Sequence, residues 1–482
     1  MSAVSVTEAQ LARIRRIAPW LVAVGFFMEQ MDSTILNTVV PVISNDLGVK
    51  ALSMKAVVTA YTLSLAVFIP ISGWMADRFG TRHVFRAAVA LFTIGSVACG
   101  LSTSLGMMVG SRVLQGAGGA MMTPVGRLIL VRTFPRSELL RVMNFVVIPA
   151  LIAPLVGPFL GGLIVEWLPW RTIFFVNLPI GLVGWYMVGR YMPNHRDPLV
   201  PPVDRWGFVL FGAGVGLLSY VLEVFGEHTW SLGPIVAMVL ASVALLVAYG
   251  VHAHRIPSPL LAVRLFALRT FRISVIGGFI TRLGVSGMPF LLPLLYQLGM
   301  GYTPLQAGLF TMPQAFGAIG MKVLSTRLIA LFGFRTVLRA NTLLLGANIM
   351  AFFFIGPGTP IWQILMLSLL QGLFSSLQFT CLNTLVYADV SDARASSASS
   401  IASTFQQMAR GFGVAVASLV AALFLGGLAG EHAPLAFTQG LHHTFLVLGV
   451  ATILSAITFT GLRRSDGVNV SGNRPEAGAK SV

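Results

Sequence analysis

The sequence contains little charge and almost no cysteine. Only 10% of its 482 residues are Asp, Glu, Lys or Arg, and the two cysteines are Cys99 and Cys381. Soluble domains carry roughly 25% charged residues, so a soluble globular class is excluded. Both cysteines fall inside apolar runs, so they give no indication of a disulfide framework, and two buried free thiols are the default expectation.

Signatures of soluble catalysis are missing as well. The sequence contains no GxxxxGK[ST] phosphate-binding loop, so it does not power itself with ATP. It contains no HExxH motif and no cluster of Cys and His at metal-binding spacing. An integral-membrane enzyme would need clustered His or acidic residues near one face, and these are absent. We therefore expect no enzyme, no cofactor and no metal site.

Long apolar runs are what the sequence has instead. Apolar residues make up 56% of the chain, and a run of about 20 of them is typical of a membrane-spanning helix. The pattern predicts an all-α integral membrane protein with fourteen transmembrane helices. The predicted spans lie near 18–42, 54–75, 84–104, 106–130, 142–165, 171–192, 206–226, 232–252, 271–297, 304–326, 336–356, 361–386, 397–428 and 441–462.

The basic residues are distributed unevenly between the two sides of these spans. The net charge is +16, and with a cytoplasmic N-terminus most Lys and Arg fall in inside loops, as the positive-inside rule requires. Only Lys50, Lys55 and Arg171 fall outside. The excess charge therefore orients the chain in a membrane and argues against nucleic acid binding. We expect a multi-pass protein of the bacterial inner membrane with both termini cytoplasmic.

Two polar linkers and a weak repeat divide the chain. The linkers follow the sixth and eighth spans, at 193–206 and 252–272. The segments SGWMADRFGTR, from Ser72, and STRLIALFGFRT, from Ser325, share an arginine, a Phe-Gly pair and a second arginine, and internal repeats are common in transporters. We predict an N-terminal six-helix bundle (1–195), a linker with two extra transmembrane helices (196–263), and a C-terminal six-helix bundle with a short cytoplasmic tail (264–482).

Two acids, Glu29 and Asp32, lie inside the first predicted span and share one helix face. Carboxylates are costly in a membrane unless they find a partner or line a water-filled path. Asp32 lies roughly 21 Å from the cytoplasmic start of its span, and Arg112 reaches a similar depth from the other side. Movement of Arg112 relative to Asp32 would make the acid bind and release a proton. The alternative is a static buried ion pair. Glu29 is either a second proton or cation site or a residue that faces a polar crevice passively.

Five further patterns follow one another along the chain. They are MDSTILNTVVP from Met31, GWMADRFGTR from Gly73, RVLQGAGG from Arg112, GPFLGG from Gly157 and WRTIFFVNLPIG from Trp170. Together they resemble motifs of the major facilitator superfamily in its fourteen-spanner drug:proton antiporter branch, and the resemblance runs over essentially the whole chain. It implies two six-helix bundles plus two extra central helices, and proton-driven efflux by alternating access.

Two of these motifs predict conformational elements. In the loop containing Gly73, Asp77, Arg78 and Gly80, Gly73 is expected to allow close helix approach. Asp77 is expected to hold the end of a neighbouring helix as a latch; the alternative is a merely soluble loop. The second motif, read as a hinge or as simple helix packing, comprises Gly157, Pro158, Gly161 and Gly162.

The cargo class stays open at this point. Arg282 and Arg410 lie roughly 17–20 Å deep, and Arg410 replaces a residue that is usually small or neutral in the family. With Gln115, Asn37 and Gln406, they are the candidate lining of a substrate cavity. The alternatives are cationic or neutral drugs and an anionic metabolite such as a carboxylate or metal–carboxylate complex. The expected partners are a small-molecule substrate, protons and the lipid bilayer, and the chain is compatible with a monomer.

Overall fold

The computed structural model describes residues 8–197, 200, 202–227, 232–391, 394–425, 434–463 and 465–467. Within these ranges the chain is helical almost throughout and contains no β-strand. Residues 468–482, most of the predicted tail, lie outside the described residues. The predicted all-α class is therefore confirmed for the described part of the chain.

The first half of the chain forms long helices joined by short connections. Helix α1 is much longer than the predicted first span and contains Pro19 and Pro41. The helices are α1 (Glu8–Asp46), α2 (Lys55–Phe79), α3 (Thr81–Gly100), α4 (Leu105–Thr133), α5 (Arg136–Trp167), α6 (Thr172–Phe175), α7 (Asn177–Tyr191), α8 (Arg205–Glu227) and α9 (Leu232–Arg255).

The second half is less regular. A helical run over 269–299 contains α10, α11 and α12, joined and ended by π-helical turns at 273–277 and 295–299. Helix α13 is interrupted at Gly333, whose φ of 73° is non-helical, so it comprises two helices that meet there. The helices are α10 (Arg269–Arg272), α11 (Gly278–Val285), α12 (Met288–Leu294), α13 (Pro304–Ala351), α14 (Ile361–Leu385), α15 (Ala395–Leu425) and α16 (Pro434–Ser455).

Ten helices in the described residues are long and apolar enough to cross a membrane. Helices α1 and α4 are not among these ten, although both are long; they carry the charged residues Glu29, Asp32 and Arg112. Each predicted span overlaps a helix, but several boundaries differ. The last span, for example, begins at Pro434 rather than 441. The structure thus shows a multi-helix membrane fold, and the number fourteen stays a prediction.

The helices meet at two ends that differ in charge. At one end, which we call the basic end, Arg132 of α4 pairs with Asp77 of α2. At the opposite end, Arg171 pairs with Asp46 at the end of α1. The carboxylate of Asp46 also accepts a hydrogen bond from the Trp170 indole, and these bonds together with Arg171 lower the pKa of Asp46. Both pairs are partly exposed and tie helices of the first half to each other.

The two halves of the chain pack together mainly near the opposite end. One apolar core there combines α1 residues, such as Val39, with α12 residues, such as Leu291. Gln297 donates to the Thr38 carbonyl at 2.7 Å. Gly162 of α5 allows close approach of α13, because a Cβ on it would lie 2.6 Å from the Pro304 oxygen. Near the basic end, each half has a buried cluster made only of its own residues.

Helices α8 and α9 pack against each other and contact α2 and α15 through one apolar cluster. Asp204, just before α8, joins the ends of this pair. Its carboxylate contacts His252 at 2.7 Å and accepts from the backbone N–H groups of Gly207 and Leu260. Burial alone raises the pKa of Asp204, but these hydrogen bonds outweigh it and hold the pKa below its ordinary value.

Candidate functional site

A cavity of about 400 Å³ lies between the two halves of the chain. Helices α1, α2 and α5 line one side, and α11, α12, α13, α14 and α15 line the other. Hydroxyl and amide side chains are numerous in this lining. The charged residues in it, within the described part of the chain, are Glu29, Arg282 and Arg410.

Glu29 is the acid that faces this cavity. Its side chain is 7% exposed, and Oε2 accepts a hydrogen bond of 2.6 Å from the Thr123 hydroxyl of α4. Arg127 of α4 and Arg410 of α15 lie within electrostatic range of it. One carboxylate oxygen is therefore held by the first half, while an arginine of the second half acts on the same group from across the cavity.

Arg282 and Arg410 face the cavity from the second half. Arg282 donates to the Gly278 carbonyl at 3.1 Å, and its guanidinium lies 5.4 Å from the centre of the Phe379 ring. Arg410 donates to Gln407 at 3.4 Å, a long contact within its own helix. In the described part of the chain, neither arginine forms an ion pair with a carboxylate. The predicted cross-cavity partner Glu29 is near Arg410 but is not bonded to it.

Asp32 lies away from the cavity, in a sealed network inside the first half. It is 0% exposed and forms an ion pair with Arg112, which is 1% exposed. Asp32 Oδ1 also accepts hydrogen bonds from Gln115 at 2.9 Å and Asn177 at 3.2 Å. Arg112 donates to Gln115 at 2.7 Å. The predicted pairing of Asp32 with Arg112 is present, and both carboxylate oxygens are occupied.

Several residues of these sites did not emerge from the sequence as site candidates. Asn177 bridges Asp32 and the Ser96 hydroxyl, which it reaches at 3.1 Å. Thr123 holds Glu29, and the ring of Tyr61 lies under the Arg112 guanidinium at 5.4 Å. The available signal was a polar residue inside an apolar run. That signal does not say which helix the side chain faces.

The other candidate lining residues separate into two groups. Asn37 lines the cavity. Gln115 is fully buried in the Asp32 network, so the structure does not place it on the cavity wall. Gln406 also lies off this wall, where it donates to Asn383 at 2.7 Å beside a separate small pocket. Its neighbour Gln407 lines the cavity instead.

At the basic end, the predicted loop is mostly helical, because Gly73, Asp77 and Arg78 lie in α2 and only Gly80 separates α2 from α3. Asp77 accepts a hydrogen bond of 2.7 Å from Arg132. Gly80, at a φ of 96°, packs so closely on Asn194 that a Cβ there would overlap the amide. A Cβ on Gly73 would meet no described atom within 4 Å, so the expectation that Gly73 permits close helix approach is not met. Arg78 lies in the last turn of α2.

The second motif lies where α5 meets α1. A Cβ on Gly157 would overlap the Thr34 hydroxyl, and one on Gly161 would lie 2.6 Å from the Ile35 carbonyl oxygen. Pro158 lines the cavity, and its carbonyl oxygen lies close to Gly308 of α13. These small residues bring α5 into close contact with α1 and α13 at the wall of the cavity. The hinge role itself stays a prediction.

The described residues contain no group of three or more His, Cys, Asp or Glu that could hold a metal ion.

A helical membrane fold with two halves around a cavity of mixed polar and apolar lining defines a class of multi-pass membrane transporters. The sequence profile of the Major Facilitator Superfamily matches residues 22–414 and 275–481. The chain belongs to this superfamily.

Relatives of similar length support the same assignment. The chain is 38% identical to the multidrug resistance protein MdtD of Serratia proteamaculans (strain 568), over 89% of this chain and 88% of that protein. It is also 38% identical to MdtD of Salmonella paratyphi B (strain ATCC BAA-1250 / SPB7), over 91% and 93%. This chain is thus a transporter similar to the MdtD proteins.

Solved structures show the same fold at low sequence identity. A POT family transporter in complex with 5-aminolevulinic acid has a TM-score of 0.66 and 16% identity, covering 94% of this chain and 96% of that one. A D-xylose-proton symporter has a TM-score of 0.66 and 15% identity, covering 93% and 98%. At these identities the likeness concerns the fold alone.

Proposed function

We propose that this protein exports small molecules across the bacterial inner membrane in exchange for protons, by alternating access. The observation that carries the proposal is the position of Glu29, a carboxylate on the wall of a cavity between two halves that pack together mainly at one end. A carboxyl group at such a position can hold a proton or act on cargo. The names of the MdtD relatives support a multidrug-type exporter.

The charge distribution supports the orientation in this proposal. With fourteen spans and both termini cytoplasmic, the basic end faces the cytoplasm and the opposite end faces outward. The halves share an apolar core at the opposite end, so this conformation corresponds to a cavity closed on the outside. Rocking of one six-helix bundle against the other would then close the basic end and expose cargo outward.

Glu29 and Asp32 take different parts in this scheme. Burial favours a neutral carboxyl group, while a nearby cation favours the carboxylate. Arg410 belongs to the other half, so its distance from Glu29 changes when the halves rock. Asp32 and Arg112 belong to the same half and move together. We therefore assign proton exchange with cargo to Glu29 and positioning of α1 against α4 to Asp32, Arg112 and Gln115.

A second candidate concerns the cargo. Lipophilic cations or neutral drugs fit a multidrug exporter, and Glu29 would attract the cations. Arg282 and Arg410, however, give the cavity two positive charges without a described ion-pair partner, and hydroxyl and amide groups lie among its apolar lining. Buried arginines bind carboxylates and phosphates strongly. This observation favours an anionic metabolite, such as a carboxylate or a metal–carboxylate complex.

Proton movement in energised inverted vesicles containing the protein tests both candidates. A lipophilic dye cation and citrate are added in turn, and the collapse of the pH gradient is followed by a fluorescent probe. We expect one of them to collapse the gradient in wild-type vesicles and to lose that effect in Glu29→Gln. Gln314→Ala, which alters the lining on the other side of the cavity without removing charge, is the control.

The outcomes separate the parts of the proposal. A response to the dye cation alone supports drug export, and a response to citrate alone supports an anionic cargo. A response that persists undiminished in Glu29→Gln overturns the assignment of proton exchange to this residue. If purified protein binds either compound but no wild-type gradient responds, the antiport mechanism is wrong.

A further inference from the structure

A group of arginines surrounds the lipid-facing surface of α7 at the basic end, away from the cavity. Leu182, Val183 and Tyr186 of α7 are more than half exposed, and such an apolar surface on a membrane helix contacts acyl chains. Arg190 follows Tyr186 by one helical turn, so it lies about 6 Å further along the same side. Arg190 is exposed as well.

Arg86 of α3 borders this surface on one side. Its guanidinium lies 3.7 Å from the centre of the Trp185 ring. Gly189 lies one turn beyond Trp185 and leaves room for the Arg86 guanidinium. A Cβ on Gly189 would lie only 2.9 Å from the Cζ atom of Arg86. Arg86 is thus fixed across α7, with its charge at the level of Arg190.

Arg13 of α1 borders the other side. It lies 4.8 Å from the centre of the Tyr191 ring and donates to the Tyr191 hydroxyl at 3.3 Å. Arg190 lies 6.0 Å from the same ring. Aromatic rings attract guanidinium groups without neutralising their charge. Among the described residues, no carboxylate forms an ion pair with Arg13, Arg86 or Arg190.

From this geometry we infer a binding site for the phosphate headgroup of an anionic phospholipid between Arg86, Arg190 and Arg13. The acyl chains lie along Leu182, Val183 and Tyr186. Charge complementarity and the continuity of the arginines with the lipid-facing surface identify the ligand class. Guanidinium groups bind phosphate oxygens through paired N–H donors, and basic pockets of this kind hold anionic headgroups at the cytoplasmic side of membranes.

The test measures lipid binding to the full-length protein in a neutral detergent. Purified protein is titrated with phosphatidylglycerol, with cardiolipin and with phosphatidylcholine, and bound lipid is counted by native mass spectrometry. We expect saturable binding of the two anionic lipids. The variants are Arg190→Gln, Arg86→Gln and a triple variant that combines these two with Arg13→Gln. Binding is expected to weaken about fivefold for each arginine removed.

Arg255→Gln is the matched control, because Arg255 is an exposed arginine at the end of the lipid-facing helix α9. Arg255 lacks the flanking arginines of α1 and α3, so Arg255→Gln is expected to bind lipid like the wild type. Arg190 is exposed, so its variant is expected to fold even if Arg86→Gln does not. An equal loss in Arg255→Gln, or equal affinity for phosphatidylcholine, would overturn the inference.

Inorganic phosphate at matched concentration distinguishes the headgroup alone from the whole lipid. Competition by phosphate only at much higher concentration than the lipid supports an acyl-chain contribution from the α7 surface. Full competition at equal concentration would show a phosphate site and overturn the assignment to a lipid. Transport activity does not enter this test, so its result is independent of the proposed antiport.

Discussion

Glu29 and Asp32 lie less than one helical turn apart in α1, yet they occupy opposite environments. Asp32 is sealed inside the first half, where Arg112, Gln115 and Asn177 occupy both carboxylate oxygens. Glu29 faces the cavity, with one oxygen held by Thr123 and an arginine of the other half nearby. The closeness of two acids in one helix therefore does not predict that they have the same role. A carboxylate whose partners all move with it stabilises structure, whereas one that also faces an arginine of the other half can respond to conformation.

The largest effect is expected where the sealed pair is broken. Asp32→Asn leaves Arg112 as an uncompensated buried charge, which costs about 3–5 kcal/mol of stability. Thermal unfolding in detergent, followed by size-exclusion chromatography, measures the loss. The double variant Asp32→Asn/Arg112→Gln removes both charges and is expected to recover much of it. A single variant as stable as the wild type would contradict the sealed-pair interpretation.

The second prediction concerns the acid that faces the cavity. Glu29→Gln keeps the hydrogen bond from Thr123, so its stability is expected to change by less than about 1 kcal/mol. The dependence of cargo affinity on pH is expected to fall from about tenfold in the wild type to nearly none. Equilibrium binding at pH 6 and pH 8 checks this. Retention of the pH dependence in Glu29→Gln, with its loss in a folded Asp32 variant, would reverse the two roles.

The third prediction uses the two arginines that line the cavity. Arg410→Gln removes one positive charge from the cavity, so binding of citrate is expected to weaken and binding of a lipophilic cation to strengthen. Each change is expected to be about five- to tenfold. Arg282→Gln is the matched variant on α11. Competition binding with both ligands measures the two changes, and a change of the same sign for both would point to altered shape rather than charge.

A fourth, smaller effect is expected at Asp204, outside the membrane. Its hydrogen bonds hold its pKa below the ordinary value of 3.8. The stabilisation is therefore present above about pH 4 and is lost as the pH falls below that value. Asp204→Asn is expected to cost about 1 kcal/mol at neutral pH and to flatten the acid dependence of the melting temperature. An unchanged acid profile would show that other carboxylates dominate.

The smallest effect on stability is expected for the half-exposed pair of Asp77 and Arg132. Such pairs contribute about 0–1 kcal/mol, so Asp77→Asn is expected to unfold nearly like the wild type. If the pair latches one conformation, its loss lowers the transport rate a few-fold and leaves cargo binding intact. Arg132→Gln is the matched variant and is expected to show the same rate. Unchanged transport rates in both variants would show that the pair of Asp77 and Arg132 is not a latch.

The sequence alone accounts for the main features of the fold. Long apolar runs require helices, because a backbone in lipid must satisfy its own hydrogen bonds. The uneven distribution of Lys and Arg predicts the orientation. The depth argument brought Asp32 and Arg112 to the same level, and the structure shows that pair. The cavity arginines Arg282 and Arg410 were also found in this way, because a charge inside an apolar run is conspicuous.

What only the tertiary structure decided is which face each polar residue presents, and to which partner. Glu29 and Asp32 share a helix and differ by about 60° around it. That angle turns Glu29 toward the cavity and Arg410 of α15, and Asp32 into the space between α3, α4 and α7. Gln115 and Gln406 are near the right depth but are directed away from the cavity. Depth follows from counting residues along one helix, whereas facing depends on how neighbouring helices pack around it.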